Sequence, residues 1–193
     1  MSVAFDTMLT VRPTATTPCL LLRPLAEQDI PAMVAAHRDP AIRQWLRRPV
    51  ATADEARRAI RTRRAEGEAG IGFSFAVLLA ESGVTDDLVG SVSIQRLGDA
   101  TVSGEVGYWV TAPARGRGIA PRAVDAVSEW AFRLRRRRPL ERLELLHSVG
   151  NAASCRVAEK ARFTFSTVLP PLLPEFPADG HLHIRLAGSR AEQ

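Results

Sequence analysis

The sequence has few cysteines and no long apolar segment. Cys19 and Cys155 are the only cysteines among 193 residues, and they lie far apart in the chain. This argues against a disulfide framework and against a cysteine-rich metal site. No apolar run approaches the ~20 residues that a membrane helix needs, and the first residues lack the basic and apolar regions of a signal peptide. We therefore expect a cytoplasmic protein without a membrane partner.

Lysine is almost absent, although the chain is basic. Lys160 is the only lysine among 26 basic residues, so arginine supplies nearly all the positive charge behind the net value of +5. This excess of arginine over lysine is typical of a coding bias, and acidic residues are spread between the arginines, which does not favour a nucleic-acid-binding surface. The densest group of arginines comprises Arg133 and residues 135–138, just before Pro139. We expect it to form the solvated C-terminal end of a helix, where cations complement the helix dipole. Nucleic acid is therefore the less favoured partner.

The length and composition are those of one globular domain. Hydrophobic residues make up 46% and charged residues 24% of the chain, and 193 residues can bury a sizeable core. We expect an irregular N-terminal arm over residues 1–18, a domain over 19–188 and a C-terminal tail over 189–193. No internal repeat or linker divides the domain.

Strand and helix signals follow one another along the chain and predict an α/β fold. Helices are expected from Pro31 to about His37, after the N-cap Thr52, from Pro121, and after the N-cap Asn151. A polar turn at residues 81–87 joins two apolar runs, which predicts an antiparallel hairpin. The predicted strands cover residues 20–25, 73–79, 88–95, 102–110, 140–146, 163–169 and 181–186.

Residues 115–120, with the sequence RGRGIA, are the most informative segment. They lie between the strand-like run 105–110 and the helix expected at Pro121. Glycine lets the backbone approach a ligand closely, and the first amides of a helix have no intrahelical partners. The helix dipole favours an anion there, and Arg115 and Arg117 add positive charge. The segment predicts a phosphate-binding turn; the alternative is a turn that only connects strand to helix.

Two segments in the same order resemble the GNAT N-acetyltransferases. Arg115, Gly118 and Ala120 match the acyl-CoA-binding pattern Gln/Arg-x-x-Gly-x-Gly/Ala, and residues 151–161 resemble the second family signature. Residues 22–29 resemble the opening strand and helix of the branch that acetylates ribosomal-protein N-termini. The resemblance spans roughly residues 20–187. It implies a single domain with a mixed, mainly antiparallel central sheet that is flanked by helices and splayed at the acyl-CoA site.

The resemblance also implies an enzyme that transfers acetyl from acetyl-CoA to a primary amine by direct attack and uses no metal. The acceptor would be a protein N-terminus or a small amine, and a larger acyl group and a homodimer are left open. The turn would hold the pyrophosphate, and the amide of one residue before it would stabilise the oxyanion. The implied cofactor-binding residues are Val110, Arg115, Gly116, Arg117, Gly118, Ile119, Ala120 and Asn151.

Glu105 is the candidate general base and Ser154 the candidate proton donor to the CoA thiolate. Strand alternation places Glu105 on the face opposite Tyr108; its alternative role is that of a surface carboxylate. Ser154 lies in the first turn of the helix that follows Asn151, and a water is the alternative donor. Tyr108 is the only tyrosine. Because it precedes the cofactor turn, whereas many family members carry a tyrosine after the second signature, we do not expect it to be the donor.

Three further residues bear on the site. His147 is a weaker base candidate. Cys155 is expected to be a buried apolar cysteine rather than an acyl carrier. Arg162 stands where the family usually has glycine, so the conformation of the turn at this position is not predicted.

Two other functions remain open at this point. One is a non-catalytic acyl-CoA-binding regulatory domain of the same fold. The other is an arginine-dependent module that binds nucleic acid or the ribosome. We expect the first two helices and the loop 170–177 to shape the acceptor site, but their residues do not identify the amine.

Overall fold

The computed structural model describes residues 6–15, 17–80, 88–98, 101–174 and 177–188. The strands are β1 (Leu9–Val11), β2 (Cys19–Pro24), β3 (Phe73–Ala80), β4 (Leu88–Gln95), β5 (Ser103–Val110), β6 (Arg142–Ser148), β7 (Thr164–Leu169) and β8 (Gly180–Leu186). The helices are α1 (Ile30–His37), α2 (Pro40–Arg43), α3 (Ala53–Glu68), α4 (Ile119–Phe132) and α5 (Ala152–Lys160). Within these residues no helix is both long and apolar enough to cross a bilayer.

All eight strands form one mixed sheet in the order β1-β2-β3-β4-β5-β6-β8-β7. Every neighbouring pair is antiparallel except β5 and β6, which are parallel. The predicted α/β class with a mainly antiparallel sheet is therefore confirmed. The hairpin of β3 and β4 is also confirmed, while its turn at 81–87 and the tail at 189–193 lie outside the described residues.

The parallel strands β5 and β6 separate halfway along their length. Their pairing runs from Ser103 opposite Arg142 to Val106 opposite Leu145. Beyond that point β5 continues to Val110 and β6 to Ser148, but the two strands no longer pair. The sheet is thus splayed where the family resemblance predicts.

Helices cover both faces of the sheet, and each face has its own apolar core. On one face α1 and α3 pack around Met33, Ile60 and Trp109. On the other face α4 and α5 pack around the fully buried Val124 and Ala158. Full burial of a Val, Leu, Ile or Met side chain stabilises the folded state by about 1.5–3 kcal/mol. The two cores therefore hold the sheet between its helices.

The helix starts that depend on local capping are confirmed. Thr52 caps α3: its hydroxyl accepts from the Glu55 amide at 3.2 Å, and the Glu55 carboxylate accepts from the Thr52 amide at 3.2 Å. Asn151 caps α5 by accepting from the Ser154 amide at 3.3 Å. These bonds join residues three apart, which is why the sequence alone predicts them.

Other predictions need correction. The segment expected to be irregular contains β1, which extends the sheet by pairing with β2. α4 begins at Ile119 rather than Pro121, since a proline is tolerated in the first turn, where amides lack intrahelical partners. α4 also ends at Phe132, so residues 135–138 follow the helix instead of closing it. The short helix α2, capped by Asp39, was not predicted.

Arg162 takes the backbone conformation that glycine would take. Its φ is +67°, in the left-handed region that costs a non-glycine residue about 1–2 kcal/mol. Its guanidinium pairs with Asp125 at 2.5 Å and with Glu129 at 2.9 Å, both on α4. The buried Arg185 of β8 pairs with the same two carboxylates. The turn is therefore retained, with ion pairs that offset the backbone cost.

Candidate active site

The turn 115–120 has the backbone of an anion-binding site. Gly116 and Gly118 have φ values of +74° and +69°, so both positions favour glycine. Gly118 is the N-cap of α4, and Ile119 and Ala120 are its first two residues. Their amides have no intrahelical acceptor and lie at the positive end of the helix dipole. The turn can therefore hold a phosphate through backbone groups.

The Arg115 side chain connects this turn to the helices on the other side of the sheet. Its guanidinium lies 2.5 Å from the Asp39 carboxylate, which also accepts from the Ala41 amide at 2.9 Å. The hydrogen bond from Ala41 and the charge of Arg115 together lower the pKa of Asp39, against an opposing effect of burial. Because Arg115 is engaged in this ion pair, the backbone amides are the main donors to an anion in the turn.

The second half of β5 presents unpaired backbone groups to the splayed region. Thr111 donates its amide to the Val89 carbonyl at 2.9 Å, so this residue faces β4. In an antiparallel pair the next residue directs its amide and carbonyl the other way. Val110, opposite Gly90, therefore points its amide and carbonyl toward β6, where strand pairing has ended. The family resemblance predicted that Val110 contributes to the acyl-CoA site. The alternation along β5 explains how its backbone amide becomes available as a hydrogen-bond donor there.

Tyr108 and Ser154 meet on the face covered by α4 and α5. The two hydroxyl oxygens lie 2.8 Å apart, and Ser154 is buried. Burial raises the pKa of Tyr108, with an opposing effect from the hydrogen bond to Ser154, so the phenol stays protonated near neutral pH. Sequence reasoning set Tyr108 aside because of its position before the turn. The alternation of β5, which puts Tyr108 on the α5 face, was the signal that could have identified it.

Glu105 lies on the opposite face, with α1 and α3. Its side chain is 11% exposed and forms ion pairs with Arg47 and Arg96, the latter at 3.2 Å. Glu144 of β6 lies directly across from it and pairs with Arg142 at 2.7 Å. The arginines stabilise the charge of two carboxylates that would otherwise repel each other. The structure thus places Glu105 beside the splay, in ion pairs with two arginines.

Deeper on that same face, His37 packs against Trp109. The rings are edge to face with centroids 5.2 Å apart, and His37 Nδ1 accepts from the Val50 amide at 3.0 Å. Burial, with a smaller effect of Arg63, lowers the pKa of His37 to about 4, so the imidazole is neutral at pH 7. This histidine therefore orders the segment between α2 and α3.

His147 and Cys155 are in contact near the α5 end of β6. His147 Nε2 lies 3.5 Å from the Cys155 sulfur, and His181 Nδ1 lies 3.3 Å from it. Burial lowers the pKa of His147, which favours its neutral form. The expectation of a buried apolar cysteine is wrong: Cys155 is half-buried and lies between two imidazoles, because α5 packs over the ends of β6 and β8.

A family model described as an acetyltransferase (GNAT) domain matches residues 20–164. No protein of curated function matches the sequence. Among solved structures, Mycobacterium smegmatis RimJ in complex with a CoA disulfide has a TM-score of 0.78 at 21% identity, over 95% of this chain and 88% of that one. An acetyltransferase of Salmonella typhimurium that modifies the N-terminal serine of ribosomal protein L7/L12 has a TM-score of 0.74 at 19% identity, over 92% and 99%.

The microcin C7 self-immunity acetyltransferase MccE, in complex with acetyl-CoA and AMP, has a TM-score of 0.74 at 17% identity, over 86% of this chain and 92% of that one. Similarity at these identities concerns the fold. The family match covers most of the chain, and the chain therefore belongs to the GNAT acetyltransferases. It is an enzyme, and its reaction is acetyl transfer from acetyl-CoA. A non-catalytic acyl-CoA-binding role is not favoured.

Proposed function

We propose that this acetyltransferase modifies the α-amino group of a protein N-terminus, with a ribosomal protein as the first acceptor to test. The observation that carries the proposal is the β2–α1 segment that resembles the ribosomal-protein branch. Arg23 and Asp29 form a bidentate ion pair there, with both N···O distances at 2.8 Å. Asp29 is buried and also accepts from the Ala26 amide at 2.8 Å. The L7/L12-modifying enzyme of similar fold supports the same class of acceptor.

Acetyl-CoA would bind from the turn toward the splay. The pyrophosphate would bind the amides of residues 117–120, and the pantetheine arm would pair with the outward backbone groups of Val110. The Asn151 side chain, next to Ser154, would contact the same arm. This arrangement would bring the thioester to the point where β5 and β6 part.

The chemical step needs one base, one oxyanion donor and one acid. Glu105 would take a proton from the acceptor ammonium, directly or through water, and the free amine would attack the thioester carbonyl. The Val110 amide would donate to the oxyanion of the tetrahedral intermediate. As the C–S bond breaks, Ser154 would give its proton to the CoA thiolate, and Tyr108 would replace that proton through their hydrogen bond. The second proton of the attacking nitrogen would leave to solvent, and Tyr108 would regain a proton from solvent.

The experiment is a thiol-release assay with acetyl-CoA and a panel of acceptors. The panel contains peptides with the N-termini of ribosomal proteins, the same peptides with blocked α-amines, and small amines. We expect CoA release only with free peptide N-termini, and mass spectrometry should locate one acetyl group there. Turnover of small amines alone would overturn the acceptor assignment while leaving acetyl transfer intact. A cytoplasmic location and a homodimer remain predictions.

A further inference from the structure

Three of the four histidines and one of the two cysteines meet in one place. His147 lies on β6, His181 and His183 lie on β8, and Cys155 lies on α5. One ring nitrogen or sulfur atom of each residue lies within 4.8 Å of those of the other three. We call these four residues the histidine–cysteine cluster. It contains nitrogen and sulfur atoms only, which are the ligands that borderline transition metals prefer.

The fold brings these residues together by strand register and helix packing. His147 lies directly opposite His181 in the antiparallel pair of β6 and β8. His183 is two residues further along β8 and therefore points to the same face. α5 lies over this face and contributes Cys155. The Phe165 ring contacts both histidines of β8, with centroids 5.2 and 5.6 Å away.

The hydrogen bonds within the cluster leave lone pairs directed at its centre. His147 Nδ1 lies 2.9 Å from the Ser148 carbonyl, which can only accept, so this nitrogen carries the ring proton. The unprotonated Nε2 of His147 then faces the Cys155 sulfur. Cys155 contacts two ring nitrogens but has a single thiol proton, so it can donate to only one of them.

His183 supplies the second, independent observation. It is 1% exposed, and neither of its ring nitrogens has a hydrogen-bond partner among the described residues. An imidazole without any partner costs a folded protein free energy, because its polar atoms lose their water. A ligand in the centre of the cluster would satisfy it.

We propose that His147, Cys155, His181 and His183 bind one transition-metal ion, Zn²⁺, in a tetrahedral site. Tetrahedral bonds of about 2.0–2.1 Å to nitrogen and about 2.3 Å to sulfur place neighbouring ligand atoms roughly 3.3–3.6 Å apart. The two sulfur–nitrogen distances of 3.5 and 3.3 Å already have these lengths. The bond from His147 Nδ1 to the Ser148 carbonyl orients the ring as outer-shell carbonyls do for metal-bound histidines.

Binding is balanced by the loss of one proton. The Cys155 thiol releases its proton to solvent and binds as a thiolate, while the three imidazoles bind through unprotonated nitrogens. Four protein ligands close the coordination sphere, which is typical of a structural zinc site rather than a catalytic one. The ion would join β6, β8 and α5 at Cys155, the residue that follows Ser154 in α5. It is therefore not a cofactor of acetyl transfer, although the sequence had led us to expect no metal at all.

The test is a metal titration of the chelator-treated full chain. Co²⁺ serves as the spectroscopic probe, and Zn²⁺ affinity is measured by competition with a chromophoric chelator. We expect one equivalent of Co²⁺ to produce a thiolate charge-transfer band and the intense visible bands of tetrahedral cobalt, and Zn²⁺ to displace it. Cys155→Ser should abolish the charge-transfer band and weaken Zn²⁺ binding at least about 100-fold, since even outer-shell changes cost 10- to 100-fold.

Two further variants keep the test decisive. Cys19→Ser is the matched control, because Cys19 is also half-buried but lies outside the cluster, and it should bind metal like the parent chain. His183→Leu fills the same space without a ligand atom, so it should fold but lose both the metal and the rise in Tm that Zn²⁺ gives the parent. Absence of stoichiometric binding, weak octahedral cobalt bands, or parental affinity in both ligand variants would each overturn the site.

Discussion

The proposed cofactor side and the proposed acceptor side of this enzyme are built differently. On the proposed cofactor side the turn 115–120 and the outward backbone groups of Val110 offer amides and carbonyls to a ligand. On the proposed acceptor side Glu105 pairs with Arg47, far away in the chain, and with Arg96, which follows β4. The contrast explains why a short motif predicts the cofactor, while no motif predicts the amine.

The largest effect should come from the acceptor side. Glu105→Gln removes the proposed base while keeping the shape of the side chain, so kcat/KM should fall about 10²- to 10⁴-fold. The KM for acetyl-CoA should stay within a few-fold, because the turn is unchanged. Steady-state kinetics with saturating peptide measure both. Glu144→Gln is the matched control, because Glu144 lies opposite Glu105 in the neighbouring strand and on the same face of the sheet. An equal loss of kcat/KM in that variant would show that the negative charge of this region, rather than a base at Glu105, supports the reaction.

A second prediction concerns the packing beneath the acceptor side. The pKa of His37 is lowered from 6.5 to about 4, so its contribution to stability is complete above pH 6.5 and is lost as the pH falls toward 4. Between pH 7.5 and pH 5 the parent should lose about 2 kcal/mol more free energy of unfolding than His37→Asn, whose amide oxygen can still accept from Val50. Urea denaturation at the two pH values measures this, and equal slopes in both proteins would contradict it.

A third prediction tests the backbone character of the cofactor side. Gly118→Ala forces a methyl group onto a residue with φ of +69°, 3.3 Å from the Thr17 side chain. The cost of about 1–2 kcal/mol should raise the KM for acetyl-CoA by roughly 10-fold and lower stability. Gly188→Ala is the control, since Gly188 has φ of +84° but lies after β8 with open space around it. It should lower stability without changing that KM.

The smallest effect should be that of Tyr108→Phe. Ser154, the proposed proton donor, remains in this variant, so kcat should fall only about 3- to 10-fold, whereas Ser154→Ala should lower kcat further because it removes that hydroxyl itself. The double variant should be no slower than Ser154→Ala, since the tyrosine acts through the serine. Pre-steady-state CoA release in the four proteins measures the coupling, and simple multiplication of the two losses would contradict it.

The features that the sequence predicted are those held by neighbouring residues. Thr52 and Asn151 cap their helices through bonds to residues three positions away, and Gly116 and Gly118 fix the turn by their own conformation. β1 escaped prediction because its three residues become a strand only by pairing with β2. Tyr108 was set aside because its position in the chain does not reveal that the fold brings Ser154 of α5 to its hydroxyl group.

The sequence by itself determined the family and the cosubstrate, because a phosphate-binding turn needs only consecutive residues with the right conformations. The tertiary structure decided which side chains meet: Glu105 with its two arginines, Tyr108 with Ser154, and the four residues of the histidine–cysteine cluster. Most of these contacts join residues of different strands and helices, and strand register and helix packing bring them together. The composition alone, with two cysteines, had argued against a cysteine-rich metal site, yet one cysteine and three histidines converge once the sheet is formed.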